Sequence, residues 1–170
     1  SDAVFGKTNP CGKLTTTFPR AVGQEPLYYN YLQCSRPPWT DDHFVAYNSS
    51  YIDVPNTPLY PFGFGLSYTA FEYGAPEVSS DRISVSEPVK ISFDVTNTGT
   101  RTGVEIVQLY IHDCFASIAR PVKELKNYQR ITLQPGETKK VQFTLTVDDL
   151  KFYNADLKLV YEPGDFEIMV

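Results

Sequence analysis

Few side chains in this sequence have the type and spacing that chemistry requires. Carboxylates occur in adjacent pairs, Asp41-Asp42 beside His43 and Asp148-Asp149. Carboxyl groups that work together as nucleophile and acid must face each other across a pocket. Neighbours on one loop point apart or share solvent, so both pairs read as solvated loops or helix caps. His112-Asp113 suggests acid/base work or a metal ligand, but His43 is the only other histidine. A strand-end pair making local hydrogen bonds is the simpler reading. Cys11, Cys34 and Cys114 stand far apart, odd in number and without CxxC, so neither a disulfide framework nor a zinc site is implied. No motif implies a cofactor.

Aromatic side chains are the remaining candidates. Trp39, Tyr28, Tyr29 and Tyr31 are able to stack on sugar rings, and Arg36 on the same stretch is able to reach a sugar hydroxyl. Packing and solvation compete with those roles, because aromatic rings mostly serve burial. Trp39, Arg36 and Tyr29 are kept as candidate substrate contacts. Arg120, Lys123, Lys126 and Arg130 make a modest basic cluster, interrupted by Glu124 and read as a solvated face. Asn48-Ser49-Ser50 matches an N-glycosylation acceptor, which matters only in a eukaryotic secretory setting.

The elements that must position these residues fall into three stretches. Residues 80–170 carry the clearest periodicity. Val89, Ile91, Phe93 and Val95 alternate with polar residues, which predicts a strand with one face in a core. A turn follows at Asn97-Thr98-Gly99, where Asn and Gly tolerate positive φ. Val104–Ile111 is apolar on both faces and should lie centrally. Val122–Leu133 is less regular. Gln134-Pro135-Gly136-Glu137 is a turn signal. Val141, Phe143, Leu145 and Val147 alternate again, and Asp148-Asp149-Leu150 suits a short capped turn. Leu157, Leu159 and Tyr161 read as a strand, and Glu162-Pro163-Gly164 turns it into Phe166, Ile168 and Val170. Evenly spaced short strands of this kind predict an immunoglobulin-like antiparallel β-sandwich.

Residues 46–79 are rich in Pro, Gly and aromatic residues. A flexible linker would lack the aromatics, so this stretch is expected to be an ordered strap packed on something else. Residues 1–45 offer one plausible strand, Leu14–Phe18, which cannot form a domain alone. They must dock on the sandwich or on further protein, and the lack of a core of their own favours the second.

Composition bounds the partners. The formal net charge of −5 argues against nucleic acid, which needs a clustered basic surface, and more weakly against an anionic membrane. No apolar run approaches about 18 residues. The opening SDAVFGKTNP lacks the basic-then-apolar pattern of a secretory signal.

Longer motifs carry a resemblance. NPCGKLTTTFPRAVGQEPLYYN (9–30) resembles NPSGKLPVTFPRSVGQIPLYYN of family 3 glycoside hydrolases. YIDVPNTPLYPFGFGLSYTAFEY (51–73) is similar to that family's lead into its last domain. VKISFDVTNTGTRTGVEIVQLYIHD (89–113), ARPVKELKNYQRITLQPGETKKVQFTL (119–145) and YEPGDFEIMV (161–170) resemble its C-terminal fibronectin type III-like domain. The chain departs from the pattern at Cys11, where Ser is usual, at Thr15-Thr16, where Pro-Val is common, and at Ser35, where Gly is usual.

The resemblance implies that residues 1–45 end an α/β sandwich domain, 46–79 form a linker strap, and 80–170 form the fibronectin type III-like module. It implies parent enzymes of the β-glucosidase or β-xylosidase type, periplasmic or secreted, that cleave β-linked sugars with retention. Their nucleophile is an Asp of a (β/α)8 barrel, and their acid/base is a Glu upstream of the NPSGKL-like segment. Neither motif is present, so no catalytic residue is assigned. The implied partners are the catalytic domains, in cis or as a separate chain, and a β-linked oligosaccharide. The competing expectation is a non-catalytic carbohydrate-binding or adhesion module.

Overall fold

A computed structural model describes residues 1–32 and 50–170. Asp41, Asp42, His43, Trp39 and Arg36 lie outside those residues. The described chain is mainly β, with nine strands: β1 (Phe71–Tyr73), β2 (Glu77–Val78), β3 (Val89–Asn97), β4 (Gly103–Asp113), β5 (Glu124–Leu133), β6 (Thr138–Leu145), β7 (Phe152–Tyr153), β8 (Leu159–Val160) and β9 (Phe166–Met169). No helix among them is long and apolar enough to cross a membrane.

Two antiparallel sheets form the sandwich. In one, β3 pairs with β6 from Val89↔Leu145 to Thr96↔Thr138, and with β1 and then β2 on different parts of its length. Gly74-Ala75-Pro76 separates β1 from β2, and proline cannot donate to a ladder. The sheet therefore draws its first strands from within the stretch read as a strap. In the other sheet β4 lies between β5 and β9. The central place expected for Val104–Ile111 is thus observed.

Period-2 patterning sets the core. Val89, Ile91, Phe93 and Val95 of β3 are buried, and they share one cluster with Val107, Leu109 and Ile111 of β4, Leu133 of β5, and Val141, Phe143 and Leu145 of β6. Each such side chain contributes about 1.5–3 kcal/mol on burial. Phe93 lies between two rings, Tyr73 at 6.0 Å and Phe143 at 6.3 Å between centroids.

Several local expectations change. The β3–β4 turn does not use positive φ at Asn97 or Gly99. Asn97 closes β3 in extended form, and its buried amide holds the turn instead: Nδ2 donates to the Arg101 and Leu133 carbonyls, and Oδ1 accepts from Gly99 N–H and the Thr69 hydroxyl. Leu157 is not in a strand. It sits exposed at φ 60° in the β7–β8 hairpin, where the Asn154 side chain accepts from the Asp156 and Lys158 N–H groups and fixes the loop. Leu14–Phe18 forms no strand either. Three threonines offer no apolar face, and the segment pairs only at its ends: Leu14 with Gly63 and Phe64, Phe18 with Leu59 and Tyr60.

The expected capped turn is present at Val147–Leu150. Asp149 accepts from the N–H and hydroxyl of Thr146, at 2.7 and 2.8 Å, and Asp148 pairs with Lys151.

The first thirty residues touch the sandwich through polar contacts. Asn9 Nδ2 donates to Thr102 O, Arg101 donates to Gly6 O, and Lys13 pairs with Glu105 of β4 at 2.8 Å. Glu105 is buried, and the Tyr73 hydroxyl donates at 2.9 Å to Oε1, the same carboxylate oxygen that Lys13 contacts. Yet the same stretch leaves large apolar side chains in the open. Phe5 is 78% exposed, Val22 88%, and Ile52 of the adjoining strap 95%.

Candidate functional site

Of the candidate contacts, Tyr29 lies among the described residues, and the strap positions it. Residues 59–64 run beside 14–18 through the hydrogen bonds above, and this brings Phe62 over the Tyr29 ring at 4.1 Å, nearly parallel. Two more neighbours of Tyr29 come from the sandwich. Tyr110 of β4 meets it edge-on at 6.2 Å, and the Leu125 N–H of β5 donates to its hydroxyl at 3.3 Å. Val122 N–H donates to Tyr31 O, so the 28–32 segment runs along the entry to β5. Tyr29 thus has one face committed to Phe62 and its hydroxyl committed to the backbone.

Below this contact the strap closes on the outer face of β4. Gln108 Nε2 donates to Gly63 O at 3.1 Å, and the Tyr110 hydroxyl donates to Gln108 Oε1. Gly63 has φ 81°, and a Cβ there would run into Gln108 and Tyr110. The backbone conformation favours glycine, and a Cβ would also push the Gln108 amide and the Tyr110 hydroxyl out of their bonds. The other end of the strap is stapled by Gln24, fully buried, whose Nε2 donates to the Pro55 and Thr57 carbonyls and whose backbone oxygen accepts from the Tyr51 hydroxyl.

Between these anchors lies a cleft of about 590 Å³, walled by Tyr28, Tyr29, Tyr31, Tyr51, Pro61 and Lys123 among others. Lys123 is its only charged lining side chain among the described residues, and its ammonium also sits 5.4 Å over the Tyr110 ring. Burial, and then the nearby Tyr29, push the Tyr110 hydroxyl up to about 12, so it stays a neutral donor. No described carboxylate lines the cleft. The double-displacement pair that glycosidic cleavage needs is therefore missing from this wall. A near-neutral aromatic surface remains, able to hold an uncharged polyhydroxylated group or another protein surface.

The basic cluster of the sequence divides. Arg120 is no solvated face: its side chain is 11% exposed, its guanidinium lies 4.4 Å over Phe152, and it bonds Glu124 at 2.7 Å. Its Nε lies 3.5 Å from buried Asp113 without a hydrogen bond. Desolvation raises the Asp113 carboxyl above its usual range, and the Arg120 charge opposes that. Arg120 fastens the β4–β5 connection to the core edge. His112 makes the expected local bond, Nδ1 to the Pro121 carbonyl at 3.0 Å. Glu105, Gln24 and Gln108 escaped the sequence reading. Their partners come from remote segments, and only an uncompensated polar residue inside an apolar strand (Glu105, Gln108) hinted at them.

Residues 1–68 match the glycosyl hydrolase family 3 C-terminal domain, and residues 105–170 match a fibronectin type III-like domain. A periplasmic β-glucosidase of Salmonella typhimurium is 45% identical over 170 residues, covering all of this chain and 22% of that protein. A β-xylosidase of Formosa agariphila is 48% identical, again over the whole chain and 22% of its own length. The crystal structure of a β-glucosidase from Listeria innocua in complex with glucose superimposes with a TM-score of 0.90 at 41% identity, covering 98% of this chain and 23% of that one. The chain spans less than a quarter of the length of these relatives.

Proposed function

Because the chain belongs to the family 3 glycoside hydrolases, as the C-terminal part of β-glucosidase- and β-xylosidase-like proteins, we propose that it buttresses the catalytic domains of such an enzyme and does not hydrolyse glycosides alone. The observation that carries this reading is the uneven surface. The sandwich buries the inner faces of its long strands and leaves apolar side chains open mainly in loops and short edge strands, Phe115 and Leu157 among them, whereas residues 1–66 expose Val4, Phe5, Val22, Tyr28, Ile52 and Leu66 within a shorter stretch. Exposed apolar side chains in such number on one stretch suit a docking face for protein. In this proposal residues 1–45 complete an α/β sandwich domain, 46–79 are the strap, and 80–170 are the closing module. The catalytic carboxylates come from the partner domains, in cis or from a separate chain, and the substrate is a β-linked glucoside or xyloside.

A narrower part of the proposal places Tyr29, Arg36 and Trp39 at the rim of the sugar pocket. Tyr29 supports it by its position on the cleft wall. The test is hydrolysis of chromogenic β-glucosides and β-xylosides by the chain, by the barrel-containing region of a relative, and by their mixture. Activity should be restored only in the mixture. There Tyr29→Leu should raise KM while leaving kcat nearly unchanged. Turnover by the isolated chain would overturn the main reading, and an unmoved KM would remove the rim contact.

A further inference from the structure

Beyond the buttressing role, one end of the sandwich gathers donors of three kinds. His112 and Cys114 follow each other at i and i+2 at the end of β4, and β9 places Glu167 in register opposite His112. One donor atom from each of the three lies within 4.8 Å of the other two. His112 and Cys114 are half-buried and Glu167 is exposed. A carbonyl only accepts, so the 3.0 Å contact to Pro121 O puts the ring proton of neutral His112 on Nδ1. Nε2 then keeps the lone pair. Histidine ligands are commonly oriented in this way, by a backbone carbonyl on the nitrogen that does not bind the metal.

From this geometry we infer that His112, Cys114 and Glu167 form a binding site for a divalent transition metal, with Zn(II) the ion its donors suit. Imidazole, thiolate and carboxylate are all zinc ligands, and the thiolate disfavours Mg(II) and Ca(II). Binding displaces the thiol proton to solvent, and the two anionic ligands neutralise the cation. With bonds of about 2.0–2.3 Å, tetrahedral ligands stand roughly 3.3–3.8 Å apart. The three donors must therefore draw in by at most about 1–1.5 Å, a movement to which the exposed Glu167 side chain contributes by changing rotamer. The fourth position is left for water. The site would tie the last strand to the centre of its sheet, joining β9 to β4 by a bond that does not depend on the ladder.

Cobalt(II) titration of the reduced full chain tests this, because thiolate ligation produces a charge-transfer absorption that oxygen and nitrogen ligands do not. One cobalt per chain is expected, displaced by Zn(II), with the band lost in Cys114→Ser and retained in Cys11→Ser and Cys34→Ser. His112→Gln and Glu167→Gln should each weaken binding roughly tenfold or more. Zn(II) should also raise the melting temperature of the wild-type chain, and much less that of Glu167→Gln. Glu167 is at the surface, so its variant reads binding without loss of the fold. No band from the folded chain, a band that survives Cys114→Ser, or binding indifferent to both His112→Gln and Glu167→Gln would overturn the site.

Discussion

Replacing Asn97 by alanine should lower unfolding free energy by about 3–4 kcal/mol, the loss of four hydrogen bonds at once, one buried and three partly buried. The residue is fully buried. Its amide uses both donors and its oxygen twice, reaching Thr69 at 2.6 Å, Arg101 at 2.7 Å, and Gly99 and Leu133 at 3.1 Å. Those partners belong to the end of the strap, the β3–β4 turn and β5, so one side chain joins three segments. Alanine would leave the Leu133 carbonyl without this donor in a place water hardly reaches, and an orphaned buried group costs more than a hydrogen bond contributes. Asn97→Asp should be no better, since a carboxylate oxygen would stand where Nδ2 stood, an acceptor facing the Arg101 and Leu133 carbonyls with no donor to offer them. Urea unfolding followed by circular dichroism measures the effect. A loss under about 1 kcal/mol, the worth of a single ordinary bond, would show that the network is not what holds the turn.

Phe143→Ala should cost about 3–5 kcal/mol, the range for deleting a buried aromatic ring. Phe143 sits on β6 in register with Ile91, 2% exposed, with its ring tilted against Phe93. The two sheets meet there, and a cavity between them cannot be filled without moving β3 and β6 together. Phe143→Leu keeps most of the volume and should cost about 1.5 kcal/mol or less. The contrast within one position separates cavity formation from loss of the strand itself. Equal losses for Leu and Ala would mean that ring packing against Phe93, and not volume, carries the stability.

How much could be read beforehand depended on whether the determining contacts were local. β3 and β6 were legible because each carries an alternating apolar face, Val89 to Val95 in β3 and Val141 to Leu145 in β6, and burial alternates as those residues do. β5 was not, although it is a continuous ten-residue strand. A register shift passes from Leu109↔Asn127 to Tyr110↔Leu125 and leaves Lys126 unpaired. Beyond such a bulge the side chains change faces, so the alternation loses phase midway. Asn127 and Tyr128 are accordingly both exposed.

Docking of the first thirty residues was hidden for a different reason. Asn9 holds Ser67, Tyr68 and Thr102, and Lys13 holds Glu105, through polar contacts with no periodicity. The candidate site was legible only in part. That Tyr29 would be either packed or sugar-facing followed from its ring, but the commitment of its hydroxyl and one face to Leu125 and Phe62 needed the fold. The His112, Cys114 and Glu167 grouping depends wholly on the β4–β9 register, which places residues from distant parts of the chain side by side.

The claim that organises these observations is that the open apolar side chains of the first segment and strap form a docking face for the catalytic domains. Sedimentation velocity of the chain mixed with the barrel-containing region tests it, using the wild type and a Val22→Asp/Ile52→Asp variant. Both residues are almost fully exposed, so the variant should unfold at the same urea concentration as the wild type, as surface changes usually do. The account predicts a complex with the wild type and a complex weakened roughly tenfold or more by the two buried charges. No complex with the wild type, or equal binding by the variant, would contradict it.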